Sequence, residues 1–384
     1  MRVQKFSRTL VVLLVLLSFS YALPSCFSEG HTLTYNLLDR PGGTKQYRLS
    51  VFVPQSLYEY YAGQGHMQFS EADFARFVTP QALKPIADKL WEIYRDYENF
   101  ANGVLMIVHQ IPYAATEPAK YPVETIVENK GDCDLLSYVA ASILKAGGLE
   151  VVLLYYRDKA HMNVGVSLPS RPRYARTGAY YVIYRGAEYY IAECTGGNWS
   201  TGWRVGECPP ALIGEAPIVV TLENCEKQSP GQVSASYTTL KASTLSLTSS
   251  STFIIQGSAI TLSGQLMPKL PNEKITVYVR IGGSQWVAAN STTTGYNGEF
   301  TCTIKLDEAG ICYIRASWSG NDDYAGADSP IVTVTVLPLC LIAFLIMVPL
   351  VCAVAVIFLA SRKGCREELP EIPSIQVSFQ ESLC

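Results

Sequence analysis

Charge is scarce in this sequence. Asp, Glu, Lys and Arg make up 16% of its 384 residues, against about 25% in an average globular protein. No Lys/Arg-rich cluster lies outside the termini, and the net charge is -3 with a pI near 5.9. Nucleic-acid binding therefore has no electrostatic support. Histidines number only four. No C-x-x-C pair is present, the usual frame of a structural zinc site, and no acidic loop of the EF-hand kind offers itself to calcium. No metal and no cofactor is expected. A ligand set of Cys133, His161, Cys194 and Cys208 is the metal alternative, and its spacing argues against it.

Apolar runs take the place of charge. Arg2, Lys5 and Arg8 precede TLVVLLVLLSFSYA, which ends in small residues near Ala22. A basic start, an apolar stretch and small residues read as an export signal over 1–28, with an uncleaved anchor as the alternative. Pro24 argues against lipid attachment at Cys26. The second run, LPLCLIAFLIMVPLVCAVAVIFLA at 337–360, is uncharged and has the length of a bilayer span. Arg362, Lys363 and Arg366 follow it. The positive-inside rule then predicts a single-pass cell-membrane protein with its N-terminal ectodomain outside and a cytoplasmic tail at 361–384. The sequons at Asn198 and Asn290 agree with that topology.

The chain has 11 cysteines. Six of them, Cys133, Cys194, Cys208, Cys225, Cys302 and Cys312, fall in the expected ectodomain. Exported cysteines usually form disulfides, yet if Cys133 is a free thiol, then one of Cys194, Cys208 and Cys225 is unpaired too. Pairing is not deducible from spacing.

Period changes mark the organisation. KQYRLSVFVP alternates as a strand. Residues 72–113 carry helical periodicity, with Leu83, Ile86, Leu90, Ile93 and Tyr94 on one stripe and a bend expected at Gly103. A further helix is predicted from Cys133, with Leu136, Val139, Ala140, Ile143 and Leu144 on one face and Gly147-Gly148 as its stop. EVVLLYY, HMNVGVSL, AYYVIY and EYYIAEC then read as strands. This makes 29–225 an α+β domain. Residues 226–243, without periodicity, read as a linker, and 244–336 shows evenly spaced short strands, the pattern of a β-sandwich. That last segment resembles the immunoglobulin-like modules of prokaryotic surface proteins. Cys302 and Cys312 lie on its consecutive strands, as a bridge between sheets or as two buried thiols.

Candidate chemistry gathers around GDCDLLSYVAASILKAGG, residues 131–148. Cys133 opens a helix, where unpaired N–H groups and the macrodipole favour an anion. Asp132 and Asp134 flank it. His161 begins a strand, on whose second face Asn163, Gly165 and Ser167 are small and polar and leave room for a substrate. Glu193 ends an apolar strand, where a carboxylate needs water or a partner; protonated imidazole is a suitable one. Each residue has an ordinary alternative: a small buried hydrophobe for Cys133, a satisfied surface histidine for His161, a solvated edge glutamate for Glu193.

YPVETIVENKGDCDLLSYVAASILKAGGLEVVLLYY, then HMNVGV, then YYIAECTGGNWSTGWRVGE together resemble the transglutaminase-like cysteine protein superfamily, in particular its membrane-attached archaeal and bacterial members. The resemblance runs from about Gln46 to Glu207. It implies Cys133 as nucleophile, His161 as base and Glu193 as the carboxylate. Where the superfamily more often has Asp-Pro-Thr this chain has Glu-Cys-Thr, and it lacks the aromatic that commonly stands two residues after the histidine. An oxyanion hole would use the Cys133 N–H with His109 or Gln110, and Trp203 would wall the cleft or pack in the core. The implied fold is a papain/transglutaminase-like α+β domain, N-terminal helices packed on an antiparallel sheet, followed by an all-β immunoglobulin-like sandwich and one transmembrane helix.

The implied activity is a surface-anchored cysteine peptidase, amidase or acyltransferase. It would act on protein or peptide substrates of the cell envelope through a Cys-His-Glu triad and a thioester. The alternative is a catalytically degenerate domain serving as a cell-surface binding or adhesion module. Substrate identity, hydrolysis against crosslinking, and oligomeric state are not readable from the sequence.

Overall fold

The computed structural model describes residues 30–364. The expected export signal lies outside them, as does most of the expected tail. The chain opens with a hairpin, β1 (Gly30–Leu38) and β2 (Gln46–Pro54), followed by helix α1 (Gln55–Ala62). Helices α2 (Lys84–Ile93), α3 (Tyr97–Val108), α4 (Pro122–Glu128) and α5 (Cys133–Ala146) come next. Then follow β3 (Val151–Tyr156), β4 (His161–Val166), β5 (Tyr181–Tyr184), β6 (Ala187–Ala192) and β7 (Ile218–Thr221). These five strands form one antiparallel sheet in the order β5-β6-β4-β3-β7.

The break between α2 and α3 falls at Tyr94–Asp96 rather than at Gly103. Asp96 caps α3 by accepting from the Asn99 N–H at 3.0 Å. Gly103 instead gives the Tyr94 ring a place to pack: a Cβ there would lie 2.1 Å from that ring. α5 has the face its sequence requires. Leu136, Val139, Ala140, Ile143 and Leu144 are all buried, and together with Met162, Val164 and Val166 of β4 they form part of the main core. Gly148, with φ +88°, turns the chain out of the helix.

The second unit packs two sheets around a separate core that includes Leu262, Val277, Phe300, Ile314 and Trp318. One sheet contains Ala259–Met267 and Glu299–Lys305; the other contains Lys274–Ile281, Val287–Thr293, Gly310–Gly320 and Val332–Leu337. The two units are fastened together. Ser56 donates from its N–H and its hydroxyl to Asp328, each at 2.7 Å, and Arg315 reaches Glu59 at 2.8 Å.

Two expectations are corrected. Helices do not come first on a single antiparallel sheet. β1 and β2 precede them and join β8 (Ser234–Ser236) in a three-stranded sheet of their own. β8 comes from within 226–243, where Val233, Ser234, Ala235 and Ser236 are buried by pairing with β2 and packing. The expected transmembrane helix is corrected as well. Leu339–Gly364 is helical (α6), but among the described residues no helix is long and apolar enough to cross a membrane. Pro349 lies inside α6 and divides its apolar stretch, removing one rung of the backbone ladder. The single-pass placement, with an outside ectodomain and a cytoplasmic C-terminus, is overturned with it.

Candidate active site

The first turn of α5 is held from outside the helix. Gly131 donates its N–H to the Pro112 carbonyl at 3.1 Å and accepts from the Ala114 N–H at 2.9 Å. Asp132 accepts from the Thr116 N–H at 2.9 Å. Inside the helix the Ser137 hydroxyl donates to the carbonyls of Cys133, at 2.7 Å, and of Met162, at 3.1 Å. It thereby ties the Cys133 peptide to β4. A short turn, Arg157–Lys159, leads into β4 through Ala160 in the left-handed region, φ +44°. The Cys133 thiol lies 3.8 Å from the Ala160 carbonyl.

The Cys133 thiol also lies beside the His161 ring and helps to raise its pKa. On the far side of that ring, Nε2 donates to Glu193 Oε2 at 2.9 Å. A carboxylate only accepts, so Nε2 carries the hydrogen and Nδ1 is left for the sulfur. The three residues expected from the sequence are thus neighbours, with His161 interacting with both others. Glu193 is fully buried and its oxygens are saturated. Oε2 also accepts from Asn163 Nδ2 at 3.2 Å, and Oε1 accepts from the Thr195 N–H at 2.8 Å and its hydroxyl at 2.6 Å.

The electrostatics follow from these contacts. Burial alone would drive the Glu193 carboxyl up, but the His161 ring and then Thr195 hold it below the usual carboxylate range. Burial likewise disfavours a charged His161. The bonds to Cys133 and Glu193 outweigh it and carry the ring up to about 10. Beside the sulfur, burial and a hydrogen bond to Asp132 push the Asp134 carboxyl up to about 8. Asp134 therefore holds its proton well above the usual carboxylate range.

His109 and Gln110, the expected oxyanion donors, are engaged elsewhere. His109 Nε2 donates to the backbone carbonyl of Glu193 at 3.0 Å, with Gly197 and Gly202 packed on its ring so tightly that a Cβ on either would come within 2.8 Å. Burial lowers its pKa. Gln110 spends its amide on Asn36 and Met106 carbonyls, at 2.9 and 2.8 Å. Trp203 lines a small cleft with His109 and Trp199, away from the Cys133 sulfur. The second face of β4 is closed rather than open. Asn163 is fully buried, and Leu154, Tyr156, Ile191, Cys208 and Leu212 form a small core there. Access is left at the strand's first residue, His161, whose side chain is one-fifth exposed (20%). Asn163 and Thr195 are the partners that the sequence did not point out. The signal was the register: Val164 pairs with Ala192, and one step on, Asn163 faces Glu193.

No family model matches the chain and no curated protein matches it. Among solved structures the chain has partial likenesses. It is similar to a transglutaminase of red sea bream, at 10% identity over 80% of this chain and 62% of that one, with a TM-score of 0.21. It is also similar to the adhesin InvE of Yersinia pseudotuberculosis, at 16% identity over 46% of this chain and 53% of that one, TM-score 0.19. A C-terminal fragment of intimin matches at 20% identity over 23% of this chain and 31% of the fragment, TM-score 0.18. The chain spans about a third of that fragment. At such scores these likenesses assign neither fold nor activity, and the case for function stands on the site's own geometry.

Among the described residues there is no group of His, Cys, Asp and Glu arranged to hold a metal ion. Cys133, Cys194, Cys208 and Cys225 are all free thiols, as are Cys302 and Cys312.

Proposed function

We propose that the protein is a thiol enzyme of transglutaminase-like type that acts on peptide or carboxamide carbonyls of protein or peptide substrates. The observation that carries this reading is the buried Glu193 carboxylate hydrogen-bonded at 2.9 Å to His161, whose ring in turn interacts with Cys133 at the start of α5. In the reaction Cys133 hands its proton to the His161 ring, and the imidazolium so formed, raised to about 10, persists at neutral pH as the partner of the thiolate. The thiolate attacks the carbonyl carbon, and N–H groups opening α5, that of Cys133 first, face the oxygen that gains charge. As the tetrahedral species collapses, the C–N bond breaks and His161 returns its proton to the departing ammonia or amine. A thioester remains on Cys133. Water resolves it to an acid, or a second amine to a new amide, each activated by His161. Glu193 stays ionised throughout and balances the imidazolium.

The test uses the full chain with Cys340 and Cys352 replaced by serine, since both are exposed. A thiol-directed electrophile at limiting dose is expected to label Cys133 first. Labelling should fall to background in Cys133→Ala and drop at least about tenfold in His161→Ala, as expected when a positioned base activates the thiol. Equal total labelling of the parent and Cys133→Ala would sink the enzyme reading and leave a binding or adhesion module.

A further inference from the structure

We propose that Asn163 is a positioning residue: with Thr195 it pins the buried Glu193 carboxylate in the one orientation that keeps Oε2 on His161 Nε2. This rests on the reading of Cys133, His161 and Glu193 as one catalytic group.

Glutamate is longer than aspartate. It carries one more methylene, and one more rotatable bond, than the aspartate common in the resembling superfamily. A freely rotating carboxylate would visit several rotamers and spend part of its time off the ring. Here the rotamers are closed off at both oxygens. Thr195 holds Oε1 through two donors, at 2.8 and 2.6 Å. Asn163 Nδ2 holds Oε2 from the side, at 3.2 Å. Neither donor carries charge, so neither competes with the imidazolium as the carboxylate's counter-ion.

The other end of the Asn163 side chain points the same way. Asn163 is fully buried, and its Oδ1 has no hydrogen-bond partner. A desolvated amide oxygen left without a partner is costly to a fold. For packing alone an apolar residue would serve this position better, because the surroundings are Leu154, Tyr156 and Ile191. What the amide supplies that an apolar residue cannot is the bond to Glu193. The titratable groups facing this carboxylate are His161 on β4, Tyr156 on β3, Cys194 and Cys208 on the chain after β6, and His109 at the end of α3. Of these, the His161 ring is the one bonded to the side-chain oxygens, and the neutral Thr195 and Asn163 supply the remaining bonds.

The test reads His161 directly and needs no substrate. Hydrogen exchange at the imidazole C2 position, followed by mass spectrometry across pH, gives the titration midpoint of His161 in the full chain. The wild-type midpoint is expected near 10. In Asn163→Ala, and separately in Thr195→Ala, it should fall by about one pH unit, a tenfold loss of proton affinity, and further in the double variant. Cys133 alkylation at neutral pH should slow in step. A packing role would lower thermal stability and leave the midpoint in place. Unchanged midpoints in folded variants overturn the inference. Should Asn163→Ala fail to fold, Thr195→Ala decides, because Thr195 is half-buried on a loop. A wild-type midpoint near the ordinary 6.5, with Cys133 unreactive, would instead remove the catalytic reading beneath it.

Discussion

In the distal sheets Cys312 is fully buried with Val277, Ile314 and Trp318 in one core, and burial alone pushes its thiol up to about 11. Cys302, in the same core on the facing sheet, is raised for the same reason. In the proximal unit Cys133 begins a helix, half-buried, beside an imidazole and set between two carboxyl groups. The residue type is the same. What differs is whether polar partners exist for the ionised form. An apolar sandwich gives the sulfur none, so it behaves as a small hydrophobe. A helix start beside a strand carrying His161 gives it several.

The largest expected effect tests that contrast outright. At neutral pH, moving a thiol from 9 to about 11 lowers its thiolate fraction about a hundredfold, before access is counted. Peptide-resolved alkylation of the native chain should therefore favour Cys133 over Cys312 by at least about a hundredfold. In denaturant the ratio should fall to about one. A native ratio near one would erase the distinction between the two regions.

A smaller effect sharpens it from the side of stability. Cys312→Ser places a hydroxyl in an apolar core and is expected to cost about 2 kcal/mol in urea unfolding. Cys133→Ser meets donors and acceptors already in place, and its cost should stay within about 0.5 kcal/mol. Equal costs would mean that the helix start is packed like the sandwich.

The same contrast explains what was legible in the sequence. Apolar periodicity reports burial, so the α5 stripe and the alternating strands around Cys302 and Cys312 could be read directly. Cys133, His161 and Glu193 were legible too, because a helix start, a strand start and a strand end are positions the pattern marks. His109 and Gln110 were misplaced because their partners, the Glu193 carbonyl and the backbone at Asn36, are remote in sequence. β8 was hidden for a similar reason. Its Ser-Ala-Ser has no apolar signature, and it is a strand only because β2 offers an open edge. The closed second face of β4 depends on residues from 180 to 219 folding over it, which no local pattern announces.

The smallest effect concerns the acids of the two regions. Burial pushes the Asp328 carboxyl up, while Arg315 and the two Ser56 donors oppose the rise. Asp134 has instead a second carboxyl, Asp132, and holds a proton up to about 8. In the unfolded chain Asp134 would release that proton near its ordinary value of about 3.9. Between the two values the folded state binds the extra proton, so stability falls as pH rises from about 4 to 8 and is level beyond. Asp134→Asn removes the titration and with it that slope. Water screens a half-buried pair, which leaves a gain of about 1 kcal/mol over wild type at pH 8 relative to pH 4. Asp307→Asn, at an exposed pair with Lys305 in the distal unit, should show no such slope. If both variants gave the same pH dependence, the raised Asp134 carboxyl beside Cys133 would have no basis, and the two regions would differ in their sulfurs alone.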